Sequence, residues 1–151
     1  MVDEIGGLDG TLNSEQGSKQ VKVSETNIPN SKLLMLYFVM VNCPPCKAFT
    51  PLLAELYNDD ENSENKNFDV VAFIVEKDAD KYNEYQTTLP FHVMPHKDSR
   101  VQALGKKHSV KGLPRLIVLN AQTGDVVNGN AKDIVEEQGP AIIDEWIQNH
   151  I

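Results

Sequence analysis

Both cysteines of the chain stand in one short stretch, Cys43-Pro44-Pro45-Cys46. Two thiols separated by two residues can close and reopen a disulfide, or supply half of a metal site. The flanking sequence favours the redox chemistry. An apolar run at residues 33–41 leads in, and an amphipathic segment at residues 47–57 leads out. This reads as a strand, a tight turn and a helix. Pro44 and Pro45 suit a first helical turn, where their missing N–H groups would have had no intrahelical partner. Cys43 then lies just before a helix N-terminus, whose partial charge of about +0.5 favours a thiolate. A zinc site needs two further ligands, and there is no second Cys-x-x-Cys. His92 and His96 are separated by Pro95, which argues against one helical face presenting both, so no metal is expected.

The rest of the chain must position that turn. At 151 residues it is long enough for one domain with a real core, and one domain spanning 1–151 is expected. Residues 1–17 read as a poorly ordered N-terminal segment with at most a short helical turn. The net charge of −8, with no basic cluster in the sequence, argues against a nucleic-acid surface. No signal peptide is evident, and the longest apolar run is far short of the roughly 20 residues of a membrane helix. With no cysteine left for a structural disulfide, a cytoplasmic protein is the expectation. No nucleotide or flavin motif is present, so no cofactor is expected and electrons must come from a partner.

Several elements are legible. Val21 and Val23 alternate with polar neighbours as in a half-buried strand, and residues 27–31 form a turn. The runs at 33–41 and 68–75 lack polar alternation, as do strands buried on both faces. Phe49, Leu52, Leu53, Leu56 and Tyr57 mark one helical face, which Pro51 should kink. Residues 59–67 read as a solvated acidic loop. A helix is expected over 78–88, irregular chain over 92–97, and a helix over 98–107 capped by Asp98 or Ser99. Residues 116–119 form a strand, 120–125 a turn, and 126–127 its hairpin partner. A last helix runs over 141–149. Tyr82 and Tyr85 read as packing residues and His108 as a solvated helix-end residue. Lys47 reads equally as support for a Cys43 thiolate or as a solvated side chain. The pattern is an α/β fold with a central mixed sheet flanked by helices on both faces. The cysteines lie at the C-terminal end of the 33–41 strand, where open α/β sheets place their sites.

Tyr37-Phe38, Cys43-Pro44-Pro45-Cys46, Phe49-Thr50-Pro51 and Gly112-Leu113-Pro114 resemble the thioredoxin superfamily. The double proline and the Phe-Thr-Pro look most like its tryparedoxin and nucleoredoxin branch. Leu89-Pro90-Phe91 with Pro95, and residues 111–119, resemble further segments of that branch. The resemblance implies a thioredoxin-like fold and a thiol–disulfide oxidoreductase that reduces protein disulfides. It implies Cys43 as the attacking thiol, Cys46 as the resolving thiol, and a cis peptide bond before Pro114. Asn42, Pro44, Leu113 and Pro114 are the implied substrate-binding residues. The implied partners are disulfide-containing proteins, peroxidases among them, and an external dithiol or reductase as electron donor. A monomer is expected, with no nucleic acid and no membrane. Three positions depart from the family: Asn42 replaces Trp, Lys47 replaces Arg, and Arg115 replaces a small residue. Asn42 has far less apolar area than Trp. It therefore supports a second expectation, a thioredoxin-like interaction module with little or no turnover. Tyr37 stands where thioredoxins proper carry a buried Asp, and a phenol is a poor base near neutral pH. Water or another carboxylate would have to take the proton of Cys46.

Overall fold

A computed structural model describes Leu8 and residues 10–151. Its centre is two strands with every residue buried, β3 (Leu33–Val39) and β4 (Phe68–Ile74). They pair in parallel, from Leu33 opposite Phe68 to Val39 opposite Ile74. On its other edge β3 pairs antiparallel with β6 (Arg115–Asn120), which forms a hairpin with β7 (Val126–Asn128). Beyond β4 lie β5 (His92–Val93), β1 (Thr11–Ser14) and β2 (Lys19–Lys22). The mixed sheet runs β2-β1-β5-β4-β3-β6-β7.

Alternation along β3 sends its side chains to two separate cores. Met35, Tyr37 and Val39 join Cys43, Cys46, Phe49, Val135 and Trp146 on one face. That face is covered by α1 (Pro44–Asn58), α3 (Ala79–Gln86), α5 (Lys132–Gln138) and α6 (Pro140–His150). Leu34, Leu36 and Phe38 join Phe73, Ile117 and Leu104 on the other. There α4 (Ser99–Lys107) is the cover, capped by the Asp98 carboxylate on the Arg100 N–H at 2.9 Å. This is the thioredoxin-like α/β arrangement that the sequence implies, with helices on both faces.

The structure corrects four local expectations. Residues 11–14 are a strand, although they carry a single apolar residue. Leu12 is fully buried there, and Asn13 Nδ2 donates to Tyr82 Oη and Gln86 Oε1, both at 3.1 Å. Of the N-terminal segment expected to be poorly ordered, residues 1–7 and 9 lie outside the described residues. The acidic loop contains a helix, α2 (Asp60–Asn65), started by the Asp59 side chain accepting from the Glu61 N–H. Residues 92–93 add a short rung, parallel to β4 and next to β1. Finally, α5 precedes the last helix and is set apart from it by Gly139 at φ +56°. It escapes periodicity because only Ile134 and Val135 are apolar in its seven residues.

Asn62 explains why the acidic segment folds. Its side chain is buried, donates to the Tyr57 carbonyl at 2.9 Å and accepts from the Phe68 N–H at 2.9 Å. It thus ties the end of α1 to the start of β4. Asn62→Ala leaves that N–H buried without an acceptor. We predict a loss of about 1–3 kcal/mol in urea denaturation. A change within 0.5 kcal/mol, the range of about ±0.5 typical of neutral surface substitutions, would show that the tie is not needed.

Candidate active site

The chain leaves β3 at Val39, turns, and enters α1 with Cys43 as N-cap. Cys43 is extended, at φ −108° and ψ 107°, so its side chain faces back over the first helical turn. Pro44 and Pro45 occupy that turn and have no N–H to offer. The first available donor is the Cys46 N–H, and it points at Cys43 Sγ at 3.3 Å. The helix therefore directs both its dipole and its first free N–H at one sulfur.

Cys43 and Cys46 form a disulfide with their Cα atoms 5.2 Å apart, inside the usual span. The two sulfurs differ in access. Cys43 retains 6% of its surface and Cys46 none (0%). Pro44, Pro45 and Lys47 are exposed around the turn.

Beneath Cys46 lies a small polar network inside the apolar core. Thr50 Oγ1 donates to the Cys46 carbonyl at 2.8 Å, and Tyr37 Oη lies 2.7 Å from Thr50 Oγ1. Since the Thr50 proton goes to that carbonyl, Tyr37 donates to Thr50. Tyr37 is fully buried and its ring meets Phe49 and Phe91 edge-on. Burial pushes its hydroxyl well above the ordinary phenol value. The Thr50 hydrogen bond opposes this, and Tyr85 and the Glu136 carboxylate add to it. Tyr37 thus stays a protonated donor at neutral pH.

The Leu113–Pro114 peptide bond is cis, and β6 begins at the next residue. Arg115 pairs with Phe38 near the end of β3, so the cis-proline loop and the cysteine turn share one end of the sheet's central strands. Leu113 packs against the core that contains both cysteines and also against the core of the opposite face. Arg115 is turned away, its Nε donating to the Gly129 carbonyl at 2.6 Å.

Asn42 is exposed, in line with a surface role, and its φ is +60°. Asn enters this left-handed region more readily than most residues with a Cβ. Its presence thus has a backbone reason as well as a consequence for surface area. The network residue that sequence reasoning passed over is Thr50. The motif Phe-Thr-Pro contained it, but its partner Tyr37 is thirteen positions away.

His92 and His96 do not converge. His92 Nε2 lies 3.2 Å from Asp69 Oδ2, while His96 Nε2 meets the Glu76 carbonyl at 2.7 Å. Among the described residues no cluster of His, Cys, Asp or Glu could hold a metal ion. None of their helices is long and apolar enough to cross a membrane. His108 is a correction. It is half-buried with Nε2 unpartnered, and burial, then the charges of Lys107 and Arg115, depress its basicity.

A family model described as thioredoxin-like matches residues 30–126. The chain belongs to that family. Tryparedoxin of Trypanosoma brucei brucei is 36% identical over 107 residues, 70% of this chain and 73% of that protein. Probable nucleoredoxin 1 of Arabidopsis thaliana is 33% identical over 132 residues, which is 87% of this chain. The chain spans about a fifth of that nucleoredoxin's length (22%). Among solved structures, tryparedoxin from Trypanosoma brucei superposes with a TM-score of 0.77 at 31% identity, covering 90% of each chain. Native tryparedoxin I from Crithidia fasciculata gives 0.73 at 34%, covering 85% of each. The protein is thus a thioredoxin-fold member of the tryparedoxin and nucleoredoxin branch. Its Cys-x-x-Cys disulfide is the redox-active group of a thiol–disulfide oxidoreductase.

The left-handed turn at Asn42 yields a prediction. Asn42→Gly should keep the stability of the oxidised protein within about 0.5 kcal/mol, whereas Asn42→Trp should lose roughly 1 kcal/mol in urea denaturation. Equal stability of the two variants would mean that the turn readily adopts another backbone conformation.

Proposed function

We propose that the chain reduces disulfides of protein substrates, with Cys43 attacking and Cys46 resolving. The observation that carries this reading is the asymmetry of the pair. Cys43 is the more accessible sulfur, and it alone receives the Cys46 N–H at the start of α1. In the reduced protein the Cys43 thiolate attacks one sulfur of a substrate disulfide. The substrate S–S bond breaks, a mixed disulfide forms, and the departing sulfur takes a proton. Cys46 then loses its proton and attacks Cys43 Sγ. The second substrate sulfur leaves and is protonated. The substrate has gained two electrons and two protons, and the Cys43–Cys46 disulfide is restored. An external dithiol or a reductase returns the two electrons to the pair.

Asn42, Pro44, Leu113 and Pro114 form the surface that meets the substrate in this reading. The cis-proline loop lies at the same end of the central strands as the cysteine turn, and Pro44 and Asn42 are exposed there. Peroxidases are proposed among the targets on the relationship to the tryparedoxin branch. One domain acting as a monomer in the cytoplasm completes the proposal.

Cys46→Ser removes the resolving sulfur, so substrates should accumulate as mixed disulfides with Cys43. Non-reducing electrophoresis and mass spectrometry would identify them. Trapping by Cys43→Ser instead would reverse the roles. Failure of the wild type to reduce a generic protein disulfide with dithiothreitol, alongside redox-independent retention of a partner, would establish the interaction-module reading.

Tyr37→Phe tests where the proton of Cys46 goes. The phenol is held protonated by burial, so its loss should leave the pH dependence of turnover between pH 6 and 9 unchanged. Stability should fall by about 1 kcal/mol, the net worth of one hydrogen bond. A shift of the basic limb of that profile would make Tyr37 part of the proton path.

A further inference from the structure

A groove of about 830 Å³ opens on the α4 face of the sheet, beside the cis-proline loop. Its floor is apolar, with Phe38, Ile74, Val101, Val110 and Leu113, and Val75 lies open at its edge with 45% of its surface exposed. Its lining also includes Lys77, Lys97, Lys106 and Lys111, all exposed. None of the four forms an ion pair among the described residues.

Two carboxylates share the lining, Glu76 and Asp98. Asp98 is already engaged by the Arg100 guanidinium, with Nε at 2.9 Å and Nη2 at 3.0 Å. Counting four lysines against two carboxylates, the lining carries a formal charge of +2, whereas the whole chain carries −8. The rest of the chain is therefore at −10. A positive, apolar concavity on a strongly acidic molecule selects by charge. It attracts acidic segments that the remaining surface repels, and it repels basic ones that the remaining surface attracts.

The groove is continuous with the reactive site through Leu113. That residue lines it, packs against the core that holds both cysteines, and precedes Pro114. We propose that the groove docks an acidic segment of the substrate protein, with at least one bulky apolar side chain, flanking the disulfide to be reduced. The apolar side chain occupies the floor, and its neighbouring carboxylates meet Lys77, Lys97, Lys106 and Lys111. The proposal rests on the disulfide-reductase reading and adds the class of protein that reaches the cysteines.

Two synthetic peptide disulfides of equal length and apolar content test it, one flanked by glutamates and one by lysines. With dithiothreitol as donor, wild type should reduce the acidic peptide with a kcat/KM roughly tenfold higher, the sum of two to three partly exposed charge pairs. In Lys77→Glu/Lys111→Glu that ratio should fall to one or below. Raising the salt concentration should shrink it in wild type. Anisotropy of labelled, serine-substituted versions of both peptides measures docking to the oxidised protein without any redox step. There too the acidic peptide should bind more tightly. Gly105→Leu, whose Cβ would meet only Phe38 at 3.7 Å, fills the groove from α4 and should weaken that binding.

Equal kcat/KM for the two peptides, or a ratio unmoved by the double substitution, would overturn the proposal. So would a concentration-dependent dimer in sedimentation that the double substitution abolishes, because the occupant would then be a second copy. Bis(2-hydroxyethyl) disulfide, run in parallel on wild type, separates the two levels. If it is not reduced, the reductase reading fails, and the anisotropy comparison still decides the groove.

Discussion

Hydrogen bonding along both edges of β3 is the constraint on which the site depends. The strand pairs with β4 on one side and β6 on the other, and every residue in it is buried. A chain emerging from such a strand cannot continue in the sheet plane. It must turn at the strand's end and cross a face to reach a parallel neighbour, and a helix is the usual crossover. α1 is that crossover, so a helix N-terminus falls next to the end of β3, and Cys43 is its cap. The antiparallel register of β6 brings the Leu113–Pro114 loop to the same end. A one-residue slip in either pairing would exchange the two faces. Tyr37 would then face α4, and the polar network under Cys46 would be lost.

The same constraint explains what could be read in advance. Two-sided burial requires unbroken apolar runs, and the runs at residues 33–41 and 68–75 stand out for that reason. Amphipathic helices on a buried sheet need an apolar stripe, which marks α1 and α6. β1 and α5 carry little apolar signal of their own. The first is held by pairing and by Asn13, the second by the buried Val135 and by its buried N-cap residue Ala131. α2 depends on Asn62, whose partners lie five and six positions away along the chain. Propensity sees an acidic, Asn-rich segment there and misses the bonds that order it.

The site was legible at the cysteines because local spacing carries the chemistry. The cis bond before Pro114 was implied only by family resemblance, since nothing local in Leu-Pro requires it. The lysine-lined groove was not legible at all. Its cations are at positions 77, 97, 106 and 111, two of them in the acid-free stretch 99–124, whose positive bias the strongly negative total charge conceals. Charge inferred from composition excludes a basic molecule but says nothing about where folding gathers its minority charges.

The Tyr37 network also bears on how the two half-reactions differ. Thioredoxins proper resemble this chain in the cysteine turn but place a buried acid where Tyr37 stands. Here that position is filled by a hydroxyl whose proton is committed to Thr50, and Thr50 is committed to the Cys46 carbonyl. Tyr37 Oη also lies 3.4 Å from the Cys46 carbonyl, so this chain of bonds contains hydroxyls and a carbonyl but no carboxylate. Burial keeps the phenol from ionising, so it cannot exchange roles and become a base. In the proposed roles, attack by Cys43 needs no help from below, because the helix terminus and the Cys46 N–H favour its thiolate. Resolution does need a proton acceptor, and Cys46 is sealed from solvent in the disulfide form. In the proposed roles, that acceptor would reach Cys46 only once the Cys43–Cys46 bond is open, in the mixed disulfide. On that reading the bound substrate would shape the second step more than the first.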